Sequence, residues 1–177
     1  MDIERERSLV EQAKSEVQAF GLLYDAYYSQ IYAYCLKRTA SVSAAQDVTS
    51  EVFFNALKSI RQFRWRGVPF SAWLYRIAHN QVVDYFRKRK HVSVEIDESL
   101  PADADDPARA AEDRLEIERL QHAASRLTRA QQEVISLRFT SDLPIAEVAR
   151  IMGKSEGAIK ALQHSAIVAL RKVMAVA

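Results

Sequence analysis

Residue types that break helices or cross-link chains are scarce here: four glycines, four prolines and one cysteine in 177 residues. So little glycine and proline points to long helices joined by few tight turns. The lone cysteine, Cys35, excludes an internal disulfide and a cysteine-rich zinc site. It lies in the apolar run IYAYCL and reads as a small core residue. The four histidines, His79, His91, His122 and His164, follow no metal-ligand spacing, and no HExxH, phosphate loop or Ser/His/Asp set can be assembled. No metal, cofactor or small-molecule substrate is therefore expected, and an enzyme is disfavoured. The charged start MDIERERS lacks the apolar core of a signal peptide, and no run approaches a membrane span. A cytoplasmic protein is expected.

Charge is present in both signs but unevenly placed. Between residues 61 and 91, eight basic residues stand against one acid, Asp84. Between residues 92 and 113, eight acids stand against one base, Arg109. That polarity suggests a polyanion-binding surface beside an acidic connector. No strand-like alternation is evident, so the expected fold is all-α: two helical lobes joined by an acidic linker. The expected boundaries are residues 1–90, a linker over 91–111, and residues 112–177.

In the first lobe, Phe20, Leu23, Tyr24, Tyr27, Ile31, Tyr34 and Cys35 recur at helical spacing over residues 15–39. Ser43 is placed to cap a second helix reaching about residue 60, with Val48, Val52, Ala56 and Ile60 on one stripe joined by Phe53. Asp47 and Glu51 lie one turn apart beside that stripe. A third helix is expected from about Pro69 to Arg89, with Phe70, Trp73, Leu74 and Ile77 facing the core.

Between the second and third helices stand Phe63, Arg64, Trp65, Arg66 and Gly67. Aromatics among arginines suit unstacked bases, because rings stack on bases while guanidinium groups hold phosphates. Phe63 and Trp65 suit the core about equally well. On the third helix Arg76, Asn80 and Arg87 share a face, and Arg87 with Lys88 opens a basic terminus. An amide and a guanidinium together can address base edges and phosphates.

In the second lobe Thr128 fits an N-cap for a helix over residues 129–139. A short helix follows Pro144, Gly153 ends it, and Ser155 caps a last helix reaching about Met174. Short helix, glycine turn and longer helix make a helix-turn-helix, whose second helix enters a major groove. Its core is expected at Val134, Leu137, Ile145, Val148, Ala149, Met152, Ile159, Leu162, Ala166 and Leu170. Lys160, His164 and Arg171 project from the opposite side, and the amides near Glu156 and Gly157 can grip a phosphate.

Over nearly its whole length the chain resembles bacterial sigma factors of the extracytoplasmic-function class. Residues 15–90 resemble region 2, above all AQDVTSEVFFNAL and PFSAWLYRIAHNQVVDYFRKRK. Residues 112–174 resemble region 4, with EVISLRF, IAEVARIMGKSEGAIKALQ and VALRK. The resemblance implies that Asp47, Glu51, Phe54 and Asn55 dock on the clamp helices of the largest RNA polymerase subunit. It implies that Phe63, Arg64, Trp65, Arg66, Gly67, Arg76, Asn80, Arg87 and Lys88 hold the extruded minus-ten strand. It assigns Ser155, Glu156, Gly157, Lys160, Ala161, His164 and Arg171 to the minus-thirty-five element. Expected partners are promoter DNA and core polymerase, including the flap of the second-largest subunit. Family members are often held inactive by an anti-sigma factor, which makes such an inhibitor a further candidate partner. No appended C-terminal regulatory domain is expected.

The pattern departs from the family at Ser165, where arginine is frequent, at Ala161 and Gln163, and at Pro144 in place of a Ser or Thr cap. The competing reading is a helix-turn-helix regulator that binds duplex DNA without polymerase.

Overall fold

The computed structural model describes residues 3–65, 69–89 and 126–174. The chain divides into two compact units, Met1–Leu100 and Pro101–Ala177. Among the described residues the regular structure is helical throughout: α1 (Ile3–Ala13), α2 (Val17–Thr39), α3 (Val42–Ser59), α4 (Phe70–Arg89), α5 (Arg129–Ile135), α6 (Ile145–Met152) and α7 (Glu156–Met174). None of these helices is long and apolar enough to cross a membrane. The acidic stretch over residues 91–111 and the helical pattern near residues 108–125 lie outside the described residues, as do Arg66, Gly67, His91 and His122.

In the first unit α2, α3 and α4 pack on one another and α1 lies against α2 and α4. Val48, Val52, Phe53, Ala56 and Ile60 are all buried, as the stripe on α3 requires. Cys35 is fully buried, and burial pushes its thiol up to about 11, with the Thr49 hydroxyl opposing. A thiol so placed stays protonated and packs as a small hydrophobe.

Three details differ from the sequence reading. The cap of α3 is Ser41, whose hydroxyl accepts the Ala44 N–H at 3.4 Å, while Ser43 sits exposed in the first turn. The shift follows from the end of α2: Ala40 adopts left-handed φ 51°, so the next residue is already extended and able to cap. Second, α4 buries a wide arc, Phe70, Ala72, Leu74, Tyr75, Ala78 and Val82, because it faces α1, α2 and α3 together. Trp73 and Ile77, expected inside, are half-buried at its margin. Third, α1 was not foreseen. Its buried stripe is Glu6, Val10 and Ala13, and the charge of IERERS hides the helical period.

The second unit begins with a capping box, in which Thr128 accepts the Gln131 N–H and the Gln131 side chain accepts the Thr128 N–H. The single helix expected over residues 129–139 stops at Ile135 and widens into a π turn, Ser136–Thr140. Widening brings Leu137 and Leu143 into the core and turns Phe139 outward at 60% exposure. Pro144 occupies the N-cap of α6 rather than its first turn. Val134, Val148, Ala149, Ile159 and Ala166 are buried as expected, joined by Leu127 and Ile151; Ile145, Met152, Leu162 and Leu170 are only half-buried. Gly153 closes α6 at φ 61°, and the Ser155 hydroxyl accepts the Ala158 N–H at 3.2 Å to start α7.

Among the described residues three helix ends thus use the left-handed region: Ala40 after α2, Asp142 after the π turn and Gly153 after α6. Gly153→Ala is expected to destabilise the fold by about 1 kcal/mol, and Ala40→Gly to stabilise it by a similar amount. Thermal melts of the two variants should shift in opposite directions.

Candidate nucleic-acid and polymerase interfaces

The corner between α3 and α4 is built on an aromatic cluster. A single 3₁₀ turn, Ile60–Gln62, ends α3, and the Phe63 N–H donates to the Ile60 carbonyl at 3.0 Å. Phe63 then runs extended and turns its ring inward at 6% exposure. The ring packs 5.1 Å from Trp73, 5.5 Å from Phe70 and 6.2 Å from Trp65, centroid to centroid. This corrects the expectation that Phe63 offers a stacking surface. Its ring is committed to the core, where aromatic pairs are worth more than burial alone. Trp65 is half-buried and Arg64 exposed, so among the described residues the open part of the corner belongs to these two.

Asn80 and Arg76 are exposed one turn apart on α4. Arg87 is exposed but pairs with Asp84 at 3.1 Å, and Lys88 is exposed beside it. Arg89 is turned away: its guanidinium hydrogen-bonds the Tyr85 hydroxyl and lies 5.3 Å from the ring centre. Among the described residues, charge available to a polyanion at this helix end therefore rests first on Lys88 and next on Arg87.

A different face is presented by α3. Asp47, Glu51, Phe54 and Lys58 recur at intervals of four, three and four residues, which puts them on one exposed stripe. Phe54 is 52% exposed, and the Lys58 ammonium lies 4.0 Å from its ring centre. Leu57 is exposed nearby and Asn55 half-buried. An exposed phenylalanine between carboxylates and an ammonium suits a protein partner better than a solvated edge. Lys58 and Leu57 did not figure in the sequence reading. The i, i+4 spacing of Phe54 and Lys58 is the signal that marks the first of them.

In the second unit Ser155, Glu156, Gly157, Lys160, Ala161, His164 and Arg171 are all exposed, opposite buried Ile159 and Ala166. Gly157, Lys160, Ala161, His164 and Arg171 follow one helical stripe, so α7 carries an exposed face opposite its buried one. The departures from the family pattern have structural partners. Gln131 Nε2 donates to the Ser165 hydroxyl at 2.9 Å, and that hydroxyl donates to the Leu162 carbonyl at 3.0 Å. The Arg138 guanidinium donates to Gln163 Oε1 at 3.3 Å and also bonds the Leu143 carbonyl. Ser165 and Gln163 thus tie α7 to α5 and the π turn.

Residues 23–92 match Sigma-70 region 2, and residues 123–172 match Sigma-70, region 4. The chain is 41% identical to the ECF RNA polymerase sigma factor BldN of Streptomyces coelicolor, an alignment spanning 98% of this chain and 67% of BldN. The chain belongs to the ECF sigma factors. It is also 29% identical to SigX of Bacillus subtilis, over 89% of this chain and 84% of SigX. Among solved structures, CnrH in complex with the cytosolic domain of CnrY matches with a TM-score of 0.72 and 25% identity, covering 97% of both chains. The relatives are sigma factors, not catalytic enzymes themselves. The region 2 match begins within α2 and takes in α3, the corner and α4, whereas α1 precedes the matched residues. A region 2 beside region 4 supports the sigma reading over a free-standing helix-turn-helix regulator.

The Ser165 linkage leads to a measurable exchange. In Ser165→Arg the Gln131 bond is lost, lowering stability by about 1 kcal/mol. If the new guanidinium reaches a phosphate, the slope of log affinity against log salt should steepen by about 0.9. An unchanged slope in duplex titrations would place position 165 off the backbone.

Proposed function

We propose that this ECF sigma factor is a non-catalytic, cytoplasmic promoter-specificity subunit that works through three separate exposed surfaces. The α3 stripe of Asp47, Glu51 and Phe54, with Asn55 beside it, docks on the clamp helices of the largest polymerase subunit. The corner and α4, through Arg64, Trp65, Arg66, Gly67, Arg76, Asn80, Arg87 and Lys88, capture the unpaired minus-ten strand. The α7 face reads the minus-thirty-five element in duplex form, while region 4 is tethered to the polymerase flap. The organisation that best fits this division is a region 2 lobe over residues 1–90, an acidic linker over 91–111 and a region 4 lobe over 112–177. The observation that carries the reading is the pairing, in one chain, of a region 2 match and a region 4 match.

Strand capture requires no nucleotide hydrolysis. Stacking a base on an aromatic contributes about 1–3 kcal/mol, comparable to the few kcal/mol that unstacking costs. Selective binding of the open strand then shifts the duplex toward melting. Trp65 supplies the ring, Asn80 the paired donor and acceptor for a base edge, and Arg76 with Lys88 the phosphate charge.

The structural relative CnrH is solved with the cytosolic domain of CnrY, and a Bartonella quintana relative, RpoE, with the anti-sigma factor NepR. Those complexes support an anti-sigma factor as a further partner of this chain. An inhibitor that covers the α3 stripe would block polymerase docking directly.

Reconstituted transcription tests the whole reading. Full-length protein added to core polymerase should yield specific transcripts from a cognate promoter in a genomic library, and their absence with folded, inhibitor-free protein would refute it. Asp47→Arg and Glu51→Arg should each weaken core binding by about 1 kcal/mol or more with an unchanged melt, since like charge then replaces opposite charge at a docking edge. Asn80→Ala and Trp65→Ala should leave core binding intact while reducing open complexes, read by permanganate reactivity of the melted thymines. Equal loss of binding and opening would instead indicate a folding defect.

A further inference from the structure

We propose that α1 is a brace for the strand-capturing corner, and that Glu6, Tyr27 and Arg61 are positioning residues that fix where Trp65 stands. The inference rests on the assignment of Trp65 to the minus-ten strand. Two independent links run from α1 to that corner. The first starts at Glu6, only 3% exposed, whose carboxylate accepts a hydrogen bond from the Tyr27 hydroxyl. Burial, followed by that carboxylate, pushes the Tyr27 phenol up from its ordinary value, so it remains a donor. The Tyr27 ring lies 5.9 Å from Phe70, and Phe70 packs on Phe63, which carries Trp65 edge-on. The second link joins the ends of two elements. Arg61, in the 3₁₀ turn just before Phe63, donates from Nε to the Lys14 carbonyl at 3.2 Å, immediately beyond α1.

The physical argument is one of preorganisation. Among the described residues, the corner is flanked by the Phe63 N–H to Ile60 bond on one side and the Ala72 N–H to Pro69 bond on the other. A ring that must catch an unstacked base loses affinity if it samples several orientations first. Holding Phe63 from beneath through Tyr27 and Phe70, and the preceding turn from the side through Arg61, reduces that freedom. A buried carboxylate with a tyrosine partner is also an expensive way merely to pack a helix, since apolar residues would do so without the desolvation cost. Its geometric direction is what an apolar substitute would lack.

The test uses the full chain in a Trp73→Phe background, which leaves Trp65 as the sole tryptophan. Tyr27→Phe is combined with Glu6→Leu, because alone it would leave the buried carboxylate without its partner; the pair keeps the aromatic ring, and Arg61→Ala removes an exposed side chain. Each should raise acrylamide quenching of Trp65 and lower open-complex formation by about threefold to tenfold, the size of one ordinary hydrogen bond, with core binding unchanged. Arg61→Lys, which retains a donor, should recover part of the loss. Unchanged quenching overturns the brace whatever the promoter result, because that measurement needs no DNA. Raised quenching with undiminished opening overturns it equally. If Trp65→Ala itself fails to affect opening, the strand-capture reading falls, an outcome distinguishable from failure of the brace.

Discussion

Most of what the first unit can do depends on the aromatic cluster in which Phe63, Phe70 and Trp73 meet. Phe70 is fully buried at the start of α4, and Phe63 arrives from the end of α3 to cover it. The two helices are thereby locked at the point where the chain leaves one and enters the other. The described region 2 groups proposed to meet nucleic acid are hung from this joint: Arg64 and Trp65 by adjacency, and Arg76, Asn80, Arg87 and Lys88 further along α4. The burial of Phe63 is therefore not a loss to function. A ring inside the core sets the position of the half-buried ring outside it, which a loop of polar residues could not do.

The same economy appears in the second unit, where polar side chains rather than aromatics fix α7, the helix proposed to face DNA. Gln131 closes its own capping box and reaches Ser165 on α7, and Arg138 reaches Gln163. The hydrophobic contacts of Ile159 and Ala166 hold α7 in place, but apolar packing is non-directional and leaves rotation about the helix axis weakly specified. Two hydrogen bonds to one side of α7 define that rotation, and with it which residues face a groove. The departures at positions 163 and 165 are thus an exchange of exposed polarity for orientation.

Much of this was legible in the sequence because local signals agreed with one another. The α3 stripe, the Thr128 and Ser155 caps and the left-handed Gly153 each follow from residue type and spacing alone, and each is present. What escaped has a common cause: it depends on a partner distant in sequence. The α1 helix hides behind IERERS because its inward face begins with a glutamate, and Tyr27, twenty-one residues on, makes that burial tolerable. The π turn cannot be read from Ser136–Thr140, since it arises from the need to bury Leu137 and Leu143 together. The cap moved from Ser43 to Ser41 because Ala40 takes a conformation that alanine usually avoids. At the candidate site, exposure of Asp47, Glu51, Phe54, Arg76 and Asn80 was readable from helical geometry. The split between Phe63 and Trp65 was not: two positions apart in an extended segment they would share a face, and what separates them is that Phe63 closes on Phe70 and Trp73 while Trp65 lies edge-on against Phe63.

The distribution of these surfaces also explains why such a chain should act with polymerase and not alone. Stacking on one tryptophan and a few phosphate contacts are individually close in size to the energy that opening a duplex consumes. Region 2 by itself therefore has little surplus with which to hold melted DNA. Fastening the chain to a large partner through the α3 stripe, and to the duplex upstream through α7, turns strand capture into an intramolecular event at high effective concentration. The weak step then succeeds only where both promoter elements are present at the right spacing. Selectivity follows from weakness: a corner that bound single strands tightly would melt DNA wherever it landed, whereas one poised near balance responds to the whole promoter.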